Sequence, residues 1–123
     1  MKKVETPKAP KAIGPYSQAV ESNGFVFCSG QIAIDPQTNE FIGGDIDQQT
    51  KRVIENLKIV LVGAGSSLAK AVKVNVFMTD LSEFPRMNEI FSSYFSHKPA
   101  RATIQAAGLP KGARIEMDVV AEK

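Results

Sequence analysis

The chain has 123 residues, 43% of them hydrophobic and 23% charged, the make-up of one globular domain over 1–123 and not of a disordered or fibrous chain. Fifteen Lys and Arg against thirteen Asp and Glu leave a formal net charge of +2, too small to point to a nucleic-acid partner. A single cysteine, Cys28, excludes an internal disulfide and a cysteine-rich metal centre, and the lysine-bearing start lacks the apolar stretch of a signal peptide, so a cytoplasmic protein is expected.

Residues 1–14 carry Pro7, Pro10 and Gly14 among lysines, a composition that predicts an extended arm. Two strands follow, Pro15–Val20 and Phe25–Ile32, around Asn23-Gly24, which supplies the positive φ angles of a hairpin turn. Gly30 interrupts the second strand, the mark either of a bulge or of a close approach by another group. After a turn at Asp35-Pro36-Gln37-Thr38-Asn39, Asp45 and Gln48 have the spacing of a capping box. Ile46, Val53, Leu57, Val60 and Leu61 then recur at helical spacing until Gly63 or Gly65 ends the helix.

Val72, Val74, Val76 and Met78 alternate with Lys73, Asn75 and Phe77 in the period of a strand with one buried face. Ser82 is placed to cap a second helix that tolerates Pro85 in its first turn, with Phe84, Met87, Ile90, Phe91, Tyr94 and Phe95 as its apolar stripe. Ala102–Ala107 reads as a short strand and Gly108–Gly112 as a loop. The last strand points Ile115, Met117, Val119 and Ala121 one way and Arg114, Glu116, Asp118 and Val120 the other. The order predicts an α+β fold, a mixed sheet covered on one face by two helices, whose other face is apolar enough to favour oligomerisation.

Most motifs that carry chemistry are absent. Gly63-Ala64-Gly65 resembles a dinucleotide-binding turn, but Leu68 stands where a small residue is needed and the apolar run before it keeps helical register. No glycine loop is followed by Lys and Ser or Thr, so a phosphate-cradling loop is excluded. His97 is the only histidine, too little for a typical nucleophile system or, with one cysteine, for a zinc site. What remains is Arg101, a permanently charged planar fork set between alanines after Pro99, and Glu116 on the following strand. If these strands are antiparallel neighbours across the 108–112 loop, the two side chains meet, either as a salt bridge or as a site.

Gly14-Pro15-Tyr16-Ser17-Gln18-Ala19, Ser29-Gly30-Gln31-Ile32, Asp80-Leu81 with Phe84 and Asn88, Pro99-Ala100-Arg101-Ala102-Thr103, and Glu116 in the terminal Ile-Glu-Met-Asp-Val strand occur in this order with few insertions. Together they resemble the reactive intermediate deaminase family, the RidA or YjgF-like proteins, from about residue 5 to 122. The resemblance implies a chorismate-mutase-like fold assembled as a homotrimer, with the β-sheets forming a central barrel and ligand clefts between subunits. It also implies hydrolysis of 2-imino acids such as 2-iminobutanoate and 2-iminopropanoate to 2-keto acids and ammonia, without cofactor or metal. Arg101 then holds the substrate carboxylate and Glu116 orients or activates water. Tyr16, Ser29 and Gly30 line the cleft, and Asn88 and Thr103 form further wall, Thr103 keeping a hydroxyl where the family often has cysteine or serine. The competing reading within the family is a ligand-binding, RNA-cleaving, translation-inhibiting or chaperone-like protein.

Overall fold

The strands are β1 Lys2–Val4, β2 Ala19–Ser22, β3 Phe25–Gln31, β4 Ala71–Met78, β5 Ala100–Gln105 and β6 Ile115–Glu122, and the helices α1 Ile46–Gly63 and α2 Phe84–Tyr94, in a computed structural model that describes residues 1–123. One sheet contains all six strands in the order β1-β2-β3-β6-β4-β5. Only β4 and β5 run parallel, which requires a crossover, and α2 lies in that crossover. The expected α+β architecture, two helices over one face of a mixed sheet, is the one observed.

Local chemistry accounts for the helices. Asp45 Oδ1 accepts from the Gln48 backbone N–H at 2.9 Å, and Gln48 Oε1 accepts from the Asp45 N–H at 3.0 Å, so the capping box at the start of α1 is complete. Its end comes at Ala64 and Gly65, the latter at φ +82°, so Gly65 ends the helix that Gly63 closes. The buried stripe of α1 (Val53, Ile54, Leu57, Val60 and Leu61) and Met87, Ile90 and Phe91 of α2 pack with Val26, Val74, Val76, Met78, Ile115, Met117 and Val119 of the sheet in one core.

Alternation puts other residues on the outer face. Phe27 stands opposite Val120, and Phe77 lies between Glu116 on β6 and Ile104 on β5. Phe25, Phe27 and Ile104 are 37%, 43% and 50% exposed. That face of the sheet is apolar and uncovered in a single chain.

Four expectations change. The arm is not wholly irregular, because Lys2–Val4 pairs with β2 as an edge strand, with Lys2 and Lys3 exposed on it. The first hairpin strand begins at Ala19 and not Pro15, since Gln18 turns inward to hold the arm: its side chain accepts from the Thr6 N–H at 2.7 Å and donates to the Thr6 and Pro10 carbonyls. Ser82 does not cap α2; Asp80 caps a single 3₁₀ turn, Leu81–Glu83, by accepting from the Ser82 N–H, and α2 follows directly with Pro85 in its first turn. The fifth strand runs from Ala100 to Gln105, two residues earlier than the pattern suggested.

A second buried amide fastens the loop after β3 to α1. Asn56, fully buried, donates Nδ2 to the Ile34 carbonyl at 2.8 Å and to that of Ile32 at 3.4 Å, and its Oδ1 accepts from Arg52 Nε at 3.0 Å. Truncation leaves a buried carbonyl without a donor. Asn56→Ala is therefore expected to lower the unfolding free energy by about 1–3 kcal/mol, read as a drop in the denaturant midpoint with an unchanged slope.

Candidate functional site

The sequence-predicted site residues fall into two groups, on opposite faces of the sheet. Arg101 is in register with Val74 of β4, whose side chain is in the core, so Arg101 projects towards the helices at the sheet edge. Its guanidinium Nη1 donates to Asn88 Oδ1 on α2 at 2.8 Å. The guanidinium carbon lies 5.4 Å from the Phe84 ring centre and 4.8 Å from that of Phe91, each such contact contributing about 0.5–1 kcal/mol at a partly exposed site. Arg101 forms no salt bridge, so most of its donors remain available to an anion. Thr103 follows on the same face, and its buried Oγ1 has no hydrogen-bond partner.

The second group surrounds a cleft of about 460 Å³ between the arm and the outer face. Tyr16, Gly30 and Glu116 line it, with Lys11, Asn39 and Lys111. β3 carries a bulge between Cys28 and Gln31 where it faces β6, and Glu116 packs directly over Gly30. A Cβ at position 30 would sit 2.9 Å from Glu116 Cδ, so bulge and close approach are both present, and a larger residue here would displace the Glu116 carboxyl. Tyr16 is 53% exposed, presented by the turn at Gly14, which has φ +131°. Ser29 does not line this cleft: its hydroxyl donates to the Ser17 carbonyl, and its N–H to that of Gln18, which holds the Tyr16 turn against β3.

The charges in the cleft are unbalanced. Glu116 is half-buried and forms no salt bridge, and its carboxyl is raised above the usual range, first by burial and then by the charge of Asp118. Neither Lys11 nor Lys111 forms a salt bridge. Lys111 is held at φ +57°, a conformation that a residue with a Cβ adopts at some strain. A carboxyl raised in this way holds its proton more tightly than an exposed one.

The expected meeting of Arg101 and Glu116 does not occur within one chain. β5 and β6 are not neighbours, because β4 lies between them and β5 pairs with β4 alone. Arg101 faces the helices and Glu116 the outer side, and no salt bridge joins them. The chain thus holds an arginine-bearing group (Arg101, Asn88 and Thr103) and an acid-bearing group (Glu116, Gly30 and Tyr16). Sequence reasoning did not single out Lys11, Asn39, Lys111 or the Asn75–Asp118 pair described below; the turn chemistry around Asn39 and the strand alternation at Asp118 were the available signals.

Comparison with known proteins places these residues in context. A family model described as Endoribonuclease L-PSP matches residues 6–123. A RutC family protein of Pyrococcus abyssi is 54% identical over 119 residues, covering 96% of this chain and 94% of its own. Reactive Intermediate Deaminase A, chloroplastic, of Arabidopsis thaliana is 40% identical over 96% of this chain and 64% of its own. The crystal structure of E. coli TdcF with bound serine superposes with a TM-score of 0.94 at 40% identity, covering 100% of this chain and 99% of that one. On the whole-length family match, the extent of the identity and the shared fold, this chain belongs to the RidA/YjgF family, whose family model carries the endoribonuclease L-PSP description.

Proposed function

We propose that the protein hydrolyses 2-imino acids such as 2-iminobutanoate and 2-iminopropanoate to 2-keto acids and ammonia, in clefts between the subunits of a homotrimer. The observation that carries this reading is the split of one chain into two incomplete halves. Arg101 has free donors but no acid beside it, and Glu116 has a cleft but no guanidinium fork, the cations there being the single-point ammonium groups of Lys11 and Lys111. The uncovered apolar face around Phe27, Phe77 and Ile104 supports assembly through the sheet, which can set the Arg101 half of one copy against the Glu116 half of the next. The name of the A. thaliana relative and the serine bound to TdcF support a small carboxylate-bearing substrate.

The chemistry asks little of the protein, because an imine carbon is already electrophilic. Arg101 holds the carboxylate through charge-assisted bonds, with Asn88, Phe84 and Phe91 fixing the guanidinium. Water adds to the C=N carbon as Glu116 protonates the nitrogen, and the proton released from the added water returns to the Glu116 carboxylate. The resulting carbinolamine collapses with the same two transfers: Glu116 protonates the amine, the C–N bond breaks, and the hydroxyl proton goes back to Glu116 as the carbonyl forms. Atoms balance as imine plus water to ketone plus ammonia, with the acid regenerated. The endoribonuclease description of the family model names a different chemistry, for which a histidine pair is the usual acid–base equipment. The one histidine here has its Nε2 bonded to the Ala71 carbonyl at 2.9 Å.

Arg101→Lys keeps the charge but loses the fork, and is expected to lower kcat/KM for dehydratase-generated 2-iminobutanoate by about 10- to 150-fold, equivalent to one charged hydrogen-bonding partner. Ammonia and keto-acid release is the measurement, and wild-type rates would overturn the assignment. Glu116→Gln should lower kcat by about 100- to 10,000-fold while 2-oxobutanoate still binds in a calorimetric titration. Mixing unfolded Arg101→Ala and Glu116→Gln chains and refolding them together should recover activity absent from either alone, since random assortment gives roughly a quarter of the clefts one intact residue from each neighbour. No recovery in a mixture shown to have co-assembled would place the reactive site within one chain.

A further inference from the structure

Glu116 has a charged companion on its own strand. Asp118 follows it two residues later in β6, and the strand period puts both carboxyls on the outer face. β4 sets Asn75 directly opposite Asp118, and Asn75 Nδ2 donates to Asp118 Oδ1 at 2.8 Å across 43 residues of sequence. Both side chains are half-buried. The amide ties down one oxygen of Asp118 without neutralising it, because an amide carries no charge. Lys73, the nearest cation outward on β4, forms no salt bridge with Asp118.

The other neighbours of Glu116 leave this charge without a counterweight. Gly30 from β3 and Phe77 from β4 are not titratable. Tyr16 and Lys11 reach the cleft from the arm, and Lys111 from the loop before β6, but neither lysine forms a salt bridge with Glu116. The Glu116 carboxyl is held up by burial first and by Asp118 second, the lysines not offsetting either. An Asp118 without its amide partner could swing into solvent, where its field at Glu116 would be screened.

We infer that the Asn75–Asp118 pair is a positioning unit for Glu116: a cross-strand amide pins the Asp118 carboxylate on the face of β6 that carries the acid, so that its negative charge acts on Glu116. Its bearing on turnover rests on the imino-acid reading above, whereas the coupling between the two carboxyls does not. Asp118→Asn preserves the shape of the pair and a hydrogen bond to Asn75, so the strand register is retained.

The test is a carbon-13 NMR titration of the Glu116 carboxyl in the full-length wild-type protein and in Asp118→Asn, alongside the pH profile of kcat for 2-iminobutanoate. Removing a negative charge makes ionisation easier. The Glu116 transition is therefore expected at lower pH in Asp118→Asn, with the alkaline limb of the kcat profile moving the same way, and Asp118→Glu is expected to restore both. Asn75→Lys, which neutralises Asp118 in place, is expected to move the transition in the same direction and serves if Asp118→Asn does not fold. A Glu116 transition at the same pH in wild type and in the folded variants overturns the inference. A shifted transition in a protein that accelerates no imine hydrolysis upholds the coupling and overturns the deaminase reading.

Discussion

The insertion of β6 between β3 and β4 is the constraint on which the rest of the molecule depends. Two sub-sheets, β1-β2-β3 and β4-β5, share no hydrogen bonds with each other and are joined only through this last strand. Its inward row of Ile115, Met117, Val119 and Ala121 is almost wholly buried and supplies the middle of the core under α1. Its outward row carries Glu116 and Asp118. The strand that closes the core is therefore also the strand that carries the acid, and the two-residue alternation keeps the two tasks on separate faces.

Burial raises two acids on different faces of the sheet, to different degrees. Glu116, half-buried and two residues from Asp118, is raised first by burial and then by that charge. Cys28, on the buried side of β3, is pushed up to about 12 by burial first and by the same Asp118 charge second, so its thiol stays protonated and packs as a small apolar group. Arg101 meets the problem differently. It remains at the sheet edge, where two phenyl faces and one amide oxygen fix it without an acid that would compete for its donors.

The helices and β6 were legible because their apolar periods are long and unambiguous, and the capping box at Asp45 stated its own geometry. Strand order was not. Nothing in the residues from 100 to 122 says that β5 pairs parallel with β4 and that β6 passes over to pair with β3, because pairing is decided by long-range closure of the sheet and not by local pattern. The supposed proximity of Arg101 and Glu116 failed for that reason. The start of β2 was misplaced because Gln18, which reads as a polar residue in an alternating strand, spends its side chain on the arm instead. Gly30 was legible as an exception in a strand, and Glu116 above it supplies the cause. Arg101 and Glu116 were legible from the residues themselves, the wall residues Tyr16, Ser29, Gly30, Asn88 and Thr103 came as a set from resemblance, and their division between two faces came from the fold.

The same insertion bears on how the sheet closes during folding. The arginine half-site is compact in sequence, since Phe84, Asn88, Phe91 and Arg101 lie within one crossover and its receiving strand. The acid half-site draws on the arm, the bulge of β3 and the final strand, contacts of high sequence separation that are slow to close. Until β6 inserts, β3 and β4 each present an unpaired edge beside apolar side chains. A chain in which β6 is unpaired is thus two open half-sheets, a form in which edge-to-edge aggregation is the favoured outcome.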